Sequence, residues 1–181
     1  MIRDERGYSL PELITTMAVL SVVLGGLTSL FVAGSNADAD LNRRFQAQSD
    51  ARVAMDRLRR EVHRACGVSG ITPGTPSSSV TFLYPSGTTC ALDAQSVSWC
   101  AVGSGTRYGL YRIQAQSCTG ATAKFADYLT YSTPFTFTNG DTTTHALARL
   151  NVDLRINRTP TKTVNAYRLT DDIAFRNFTR L

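Results

Sequence analysis

A run of 25 residues without a charge, Leu13 to Ala37, follows a short polar start. As a helix it would span about 37 Å, more than the ~30 Å hydrocarbon core of a bilayer. From Asp38 to Cys66 there is neither proline nor glycine, and Ala51, Met55, Leu58, Val62 and Ala65 recur at steps of three and four. That spacing predicts one apolar stripe on a helix, a face for a core to pack on. Asp56, four residues before Arg60, predicts an ion pair along the surface. Cys66-Gly67 predicts the stop, with glycine where helices commonly end in a left-handed residue. The pattern therefore gives one helix from about Tyr8 to Cys66. Gly25-Gly26 is its weak point, each glycine costing about 1 kcal/mol relative to alanine, though small residues also let a second helix approach closely in lipid.

The period then changes. Ile71 to Ser79 is rich in Pro, Gly, Thr and Ser and reads as a loop. Beyond it come strand-like runs at Val80–Tyr84, Val97–Val102 with the single Trp99, Tyr108–Ile113, and Phe135 with Phe137. Asn139-Gly140 is a turn signal. Leu150 to Ile156 alternates strictly, Asn157 to Thr163 reads as a loop tip, and Tyr167 to Phe178 as a closing strand or pair. A long helix followed by an antiparallel β-sheet is an α+β fold. The expected organisation is a leader at 1–7, a hydrophobic helix at 8–37, its amphipathic continuation at 38–67 and a β-rich domain at 68–181.

The boundary between polar start and apolar run reads Arg6-Gly7-Tyr8-Ser9-Leu10-Pro11-Glu12. An ionised carboxylate near hydrocarbon costs several kcal/mol, about 2.5–3.5 at a helix centre, so Glu12 needs a reason. A secretory signal has a shorter apolar core and a small-residue cleavage site after it. A plain signal anchor explains the length but neither the Gly-aromatic junction nor the acid. The stretch resembles the signal of type IV prepilins and pseudopilins: a short leader ending in Gly, an aromatic new N-terminus, and Glu as the fifth residue of the product. Tyr8 stands where that family usually has Phe, and Pro11 before the acid is a known variant. Shorter matches in the body, Met55-Asp56-Arg57-Leu58 with Ala65, Leu110-Tyr111-Arg112 and Ile173 to Asn177, resemble the PilW and PulJ-like minor pilins and pseudopilins.

The resemblance implies cleavage between Gly7 and Tyr8, N-methylation of Tyr8, and a β-domain laid against the second half of a helical spine. It implies as partners a prepilin peptidase, other major and minor pilins or pseudopilins, an inner-membrane assembly platform and membrane lipid. The protein would sit in the cytoplasmic membrane as a single-pass chain with its C-terminal domain outside, then in a filament or at its tip. Glu12 would neutralise the α-amino group of Tyr8, whose pKa is near 7.7–8.0. Between subunits it would set axial register, since an unpaired buried charge is strongly disfavoured. Gly25-Gly26 would be where the arm unwinds during packing.

Net charge is +5, from 17 Arg and two Lys against 14 acids. The excess permits contact with nucleic acid, anionic lipid or an acidic partner without selecting one. Cys66, Cys90, Cys100 and Cys118 contain no C-x-x-C pair, which argues against zinc. In an exported body an even count suggests two disulfides. Three pairings are open. The favoured one joins Cys90 to Cys100 across a short loop and Cys66 to Cys118 between helix end and sheet.

Catalytic chemistry is sparse. His63 and His145 lie in no metal-spaced cluster, and Gly103-Ser104-Gly105 lacks the strand-to-helix context of a nucleophile elbow. Asp171-Asp172 has too few spaced oxygens for a calcium loop and reads as a solvated turn. Asn157-Arg158-Thr159 and Asn177-Phe178-Thr179 match the short glycosylation sequon. Arg43, Arg44, Arg52, Arg57, Arg59, Arg60 and Arg64 resemble a phosphate-tracking stripe, but Asp50, Asp56 and Glu61 interrupt it and aromatic platforms are lacking apart from Phe45. The expectation is a minor pilin or pseudopilin, a structural subunit for assembly or initiation of a type IV pilus or a type II secretion pseudopilus. No enzymatic activity, cofactor, metal or nucleic-acid partner is expected. The alternatives are a DNA-binding minor pilin of a DNA-uptake pilus, or a membrane-anchored ligand-binding domain without a filament role.

Overall fold

Ser9 opens the helix: its carbonyl accepts the backbone N–H of Glu12 at 3.0 Å and of Leu13 at 3.1 Å. Ser-x-x-Glu is the spacing of a capping box, and Pro11 is tolerated because a first-turn N–H has no intrahelical partner. From there α1 (Leu10–Arg64) runs without a break through Gly25, Gly26 and Gly34. Four of the hydroxyls inside the apolar run are satisfied by their own helix. Thr15, Thr16, Ser21 and Thr28 donate to the carbonyls of Glu12, Leu13, Met17 and Leu24 at 2.7–3.0 Å. Such back-bonding removes their need for water. The computed structural model describes residues 9–86, 89–91, 95–105, 107–121, 123–141, 143–159 and 166–178. It divides into two units, up to Arg43 and from Arg44 onward.

In the second unit the helix buries the stripe that its spacing predicts. Ala51, Met55, Leu58, Val62 and Ala65 are buried, joined by Ala47 and Ala54. Three of the first four are alanine, and the larger side chains follow toward the C-terminus. The stop is two residues earlier than expected and of a different kind. Gly67 is not left-handed. The chain passes straight into a strand, with Ala65 N–H still bonded to Glu61 O and Cys66 N–H already bonded to Leu83 O. Gly67 is needed for space instead, since a Cβ there would lie 3.1 Å from Cys90 Sγ. Along the surface Asp56 pairs with Arg59 at 3.4 Å and not with Arg60, because Arg59 is held between Asp56 and Asp171.

Ten strands follow among the described residues: β1 (Gly67–Ser69), β2 (Pro76–Ser77), β3 (Ser79–Ser86), β4 (Thr89–Ala91), β5 (Val97–Ser104), β6 (Arg107–Ile113), β7 (Ala123–Leu129), β8 (Phe135–Thr138), β9 (Arg149–Ile156) and β10 (Tyr167–Ala174). Every pairing is antiparallel, in the order β1-β3-β5-β6-β7-β9-β8-β2, with β10 on β9 and β4 on β3. The fold is α+β, as expected. The tight β5–β6 turn needs its glycines: Gly105 has φ of +61°, and a Cβ on Gly103 would collide with the Arg107 carbonyl. The turn signalled at Asn139-Gly140 lies slightly later, closed by a bridge between Asp141 and Ala146. β2 falls inside the stretch expected to be a loop.

One hydrophobic core joins the helix stripe to the sheet. Val80, Phe82, Trp99, Leu110, Leu129, Leu150, Val152, Leu154 and Ile156 are buried against it. Phe82, Phe137, Phe175 and Phe178 close one end through edge-on and tilted ring contacts of 5.4–6.3 Å.

All four cysteines form disulfides, but the favoured pairing is wrong. Cys66 bonds Cys90 and Cys100 bonds Cys118, with Cα separations of 5.8 and 5.9 Å. The register of β3 explains the first bond. Cys66 N–H binds Leu83 O, and Cys90 on β4 stands opposite Pro85, so both cysteines flank the same end of β3. Cys100 lies opposite Tyr111 on β6, and the segment after β6 folds back beside it, pinned where Ser98 Oγ donates to Ala115 O at 2.6 Å. Short sequence separation decides nothing once strand order intervenes.

Non-reducing peptide mapping is expected to find Cys66–Cys90 and Cys100–Cys118. Reduction is expected to cost roughly 2–5 kcal/mol per bridge, read by urea unfolding. A Cys90–Cys100 peptide would contradict the strand order.

Candidate functional site

The first unit presents an apolar surface with one acid at its head. Leu10, Leu13, Ile14, Met17, Val19, Leu20, Val22, Val23, Leu24, Leu27, Leu30, Phe31 and Val32 are all exposed. Contiguous apolar surface of this extent marks a membrane or protein contact. Glu12 stands in the first turn, where its charge also complements the helix N-terminus. Among the described residues α1 alone is long and apolar enough to cross a membrane. Gly7 and Tyr8, the expected cleavage and methylation positions, lie outside the described residues.

The second unit holds a buried carboxylate that the sequence reading treated as a surface acid. Glu61 is 3% exposed. Its Oε2 accepts the Trp99 indole N–H at 2.6 Å, and its Oε1 accepts Arg112 Nε at 2.6 Å and Arg57 Nε at 3.1 Å. Burying a carboxylate is costly unless it is paired and hydrogen-bonded, and here a helix, β5 and β6 each supply a donor. A signal was present. The steps Ala51, Ala54, Leu58, Glu61, Ala65 keep helical spacing, so Glu61 occupies a core position, with Arg57 one turn before it. Nearby, Tyr84 is half-buried; burial and the Glu61 charge push its hydroxyl up to about 12, so it stays protonated.

The arginine-bearing face of α1 ties the helix to the sheet. Besides Glu61–Arg112, Asp50 pairs with Arg158 at 2.7 Å and Arg59 with Asp171 at 2.7 Å. Asp171 and Asp172 lie in β10 and not in a turn, Asp172 pairing with Arg149 at 2.8 Å. On β9, Asp153 accepts from Arg155 and Arg168 at 2.6–3.0 Å. Burial acts to raise its pKa, but the two guanidinium groups prevail and hold it below the usual carboxylate range.

The remaining candidates have local roles. His63 Nδ1 lies 3.2 Å from Ala174 O, while His145 sits in the Asp141–Ala146 turn with φ of +55°. Ser104 ends β5 in a strand-to-strand turn. Asn157 is buried and accepts the Thr159 N–H, which removes that sequon from the surface; Asn177 donates to His63 O. Among the described residues no group of three His, Cys, Asp or Glu is placed to hold a metal.

Comparison with family models, curated proteins and solved structures gives no match to this chain. The single long apolar N-terminal helix, continuing into a stripe packed on a β-sheet, resembles the pilin architecture.

Glu61→Ala is expected to destabilise the second unit by about 3 kcal/mol or more, because it strands Arg112 and the Trp99 N–H in the interior. Glu61→Gln, which keeps an acceptor, is expected to cost less; urea unfolding followed by Trp99 emission reads both. A second expectation concerns acid. Asp153 binds its proton less readily when folded, so its contribution is complete above about pH 4 and lost as pH falls through the lower folded pKa. Asp153→Asn is expected to flatten the fall in melting temperature below pH 4.

Proposed function

We propose that this chain is a minor pilin or pseudopilin, a membrane-inserted subunit that initiates, caps or joins a type IV pilus or a type II secretion pseudopilus. The observation that carries the reading is the pairing of Glu12 with the exposed apolar face of α1. In a bare anchor the acid would serve only the start of its own helix. In a filament subunit it has a second use: in a packed bundle the carboxylate would meet the α-amino group of a neighbouring or its own Tyr8, and every other offset would leave both charges unpaired. The disulfide-closed β-domain supports the same reading, because two structural disulfides fit an oxidising compartment outside the cytoplasm.

In this reading the apolar arm is covered twice. Lipid covers it before assembly, and neighbouring arms cover it afterwards. The back-bonded hydroxyls of Thr15, Thr16, Ser21 and Thr28 suit either environment, since they ask nothing of the solvent. No enzymatic step belongs to the chain in this scheme; its covalent chemistry is done to it, at Gly7 and Tyr8, by a peptidase.

Intact-mass measurement of membrane-extracted protein is expected to give a product beginning at methylated Tyr8. Glu12→Ala is expected to leave membrane insertion intact and to abolish co-purification with sheared filaments. An N-terminus at Met1 in cells that possess the peptidase, or normal filament incorporation of Glu12→Ala, would overturn the proposal.

A further inference from the structure

Beside the buried Glu61 lies a polar cleft of about 460 Å³ whose charges do not balance. Arg57 and Arg64 reach it from α1, seven residues and so roughly 10 Å apart along the axis, and Arg112 reaches it from β6. Glu61 is the single acid among its lining residues, so three guanidinium groups face one carboxylate. That carboxylate is already engaged: Arg57 and Arg112 both approach Oε1 through Nε, and Oε2 takes the indole of Trp99. Arg57 and Arg112 make no other hydrogen bond among the described residues, which leaves the terminal nitrogens of each guanidinium for a second acceptor. Arg64 forms no ion pair among the described residues and lies 5.7 Å from the centre of the Tyr84 ring.

We propose that this cleft binds a small dianion bearing carboxylate or phosphate groups, held between Arg57, Arg64 and Arg112. A guanidinium presents paired N–H donors in a planar fork that matches carboxylate or phosphate oxygens. Glu61 fixes two of the three forks from behind, so their geometry is set before a ligand arrives. Tyr84 and Gln114 add neutral polar groups at the wall. The charge count selects the ligand: three cations against one acid leave room for two negative charges. An apolar ligand would forfeit the hydration of three cations for nothing. The site lies wholly within the second unit and does not rest on the filament reading.

Trp99 is the only tryptophan and bonds directly to Glu61, so its emission reports on the cleft. The full chain in detergent is titrated at mildly alkaline pH with succinate or with inorganic phosphate, against sodium chloride at equal ionic strength. Either dianion is expected to shift Trp99 emission saturably and to raise the melting temperature, and chloride is expected to do neither. A response to succinate alone assigns a carboxylate ligand, and one to phosphate alone a phosphate ligand. Arg64→Gln, at an exposed position that bonds none of the Glu61 set, is expected to raise the half-saturating concentration at least tenfold. Arg60→Gln, outside the cleft, is expected to leave it unchanged. The proposal is overturned by no saturable response to either anion, by a chloride response of equal size, or by an Arg64→Gln titration equal to the parent. Should Arg64→Gln lower the melting temperature by itself, the anion-dependent rise in the parent over chloride decides the matter.

Discussion

A single carboxylate, Glu61, fixes how the helix meets the sheet in the second unit. Apolar packing alone is permissive: a stripe of Ala, Met, Leu and Val slides or rotates on a sheet face at modest cost. A buried charge is not permissive, because any offset that strands it costs several kcal/mol. With Trp99 on β5, Arg112 on β6 and Arg57 on the helix itself converging on two oxygens, rotation and translation are both specified. The more exposed pairs Asp50–Arg158 and Arg59–Asp171 come earlier on the same helix and add little energy, but they agree with the position that Glu61 imposes.

The same charges explain why the sequence was partly opaque. Periodicity revealed the helix stripe and the strands β3, β5, β6, β8, β9 and β10, since each carries enough alternating or β-rich residues to be seen alone. It did not reveal β1, β2 and β4, which have two or three residues and exist only because a longer neighbour offers them an edge. β7 was hidden for a different reason: Ala123 to Leu129 mixes Lys, Asp and Ala with its aromatic residues, and its register against β6 is broken by a bulge. The disulfide pairing failed on strand order, which no spacing encodes. Glu61 is masked by its charge, which ordinarily faces water, although its place in the helical steps is that of a core residue.

The arm before Arg43 poses the reverse problem. Its pattern was fully legible, because the run from Leu13 to Ala37 carries no charge, yet such a surface says only that something covers it. What separates an anchor from an assembly element is the single departure from the pattern. Glu12 sits in the first turn, where its charge complements the helix N-terminus, and that local role is compatible with a second, intermolecular one, since a carboxylate at the end of an apolar rod remains open to a cation.

Each part of the chain therefore places one carboxylate against an apolar background and leaves its balance of charge to be completed differently. Around Glu61 the fold itself supplies the cations, and supplies more than it needs. Around Glu12 no basic side chain follows until Arg43; in the proposed scheme, with the residues before Tyr8 removed, compensation comes from the new N-terminal amine or from another molecule. In the two proposals above, the excess of guanidinium in one unit and the acid at the head of the other are the two places where partners would be selected by charge. The apolar surfaces between them contribute area and affinity, and an oily surface accepts neighbours in many registers. In a filament the charges would decide which neighbour fits, and in which register.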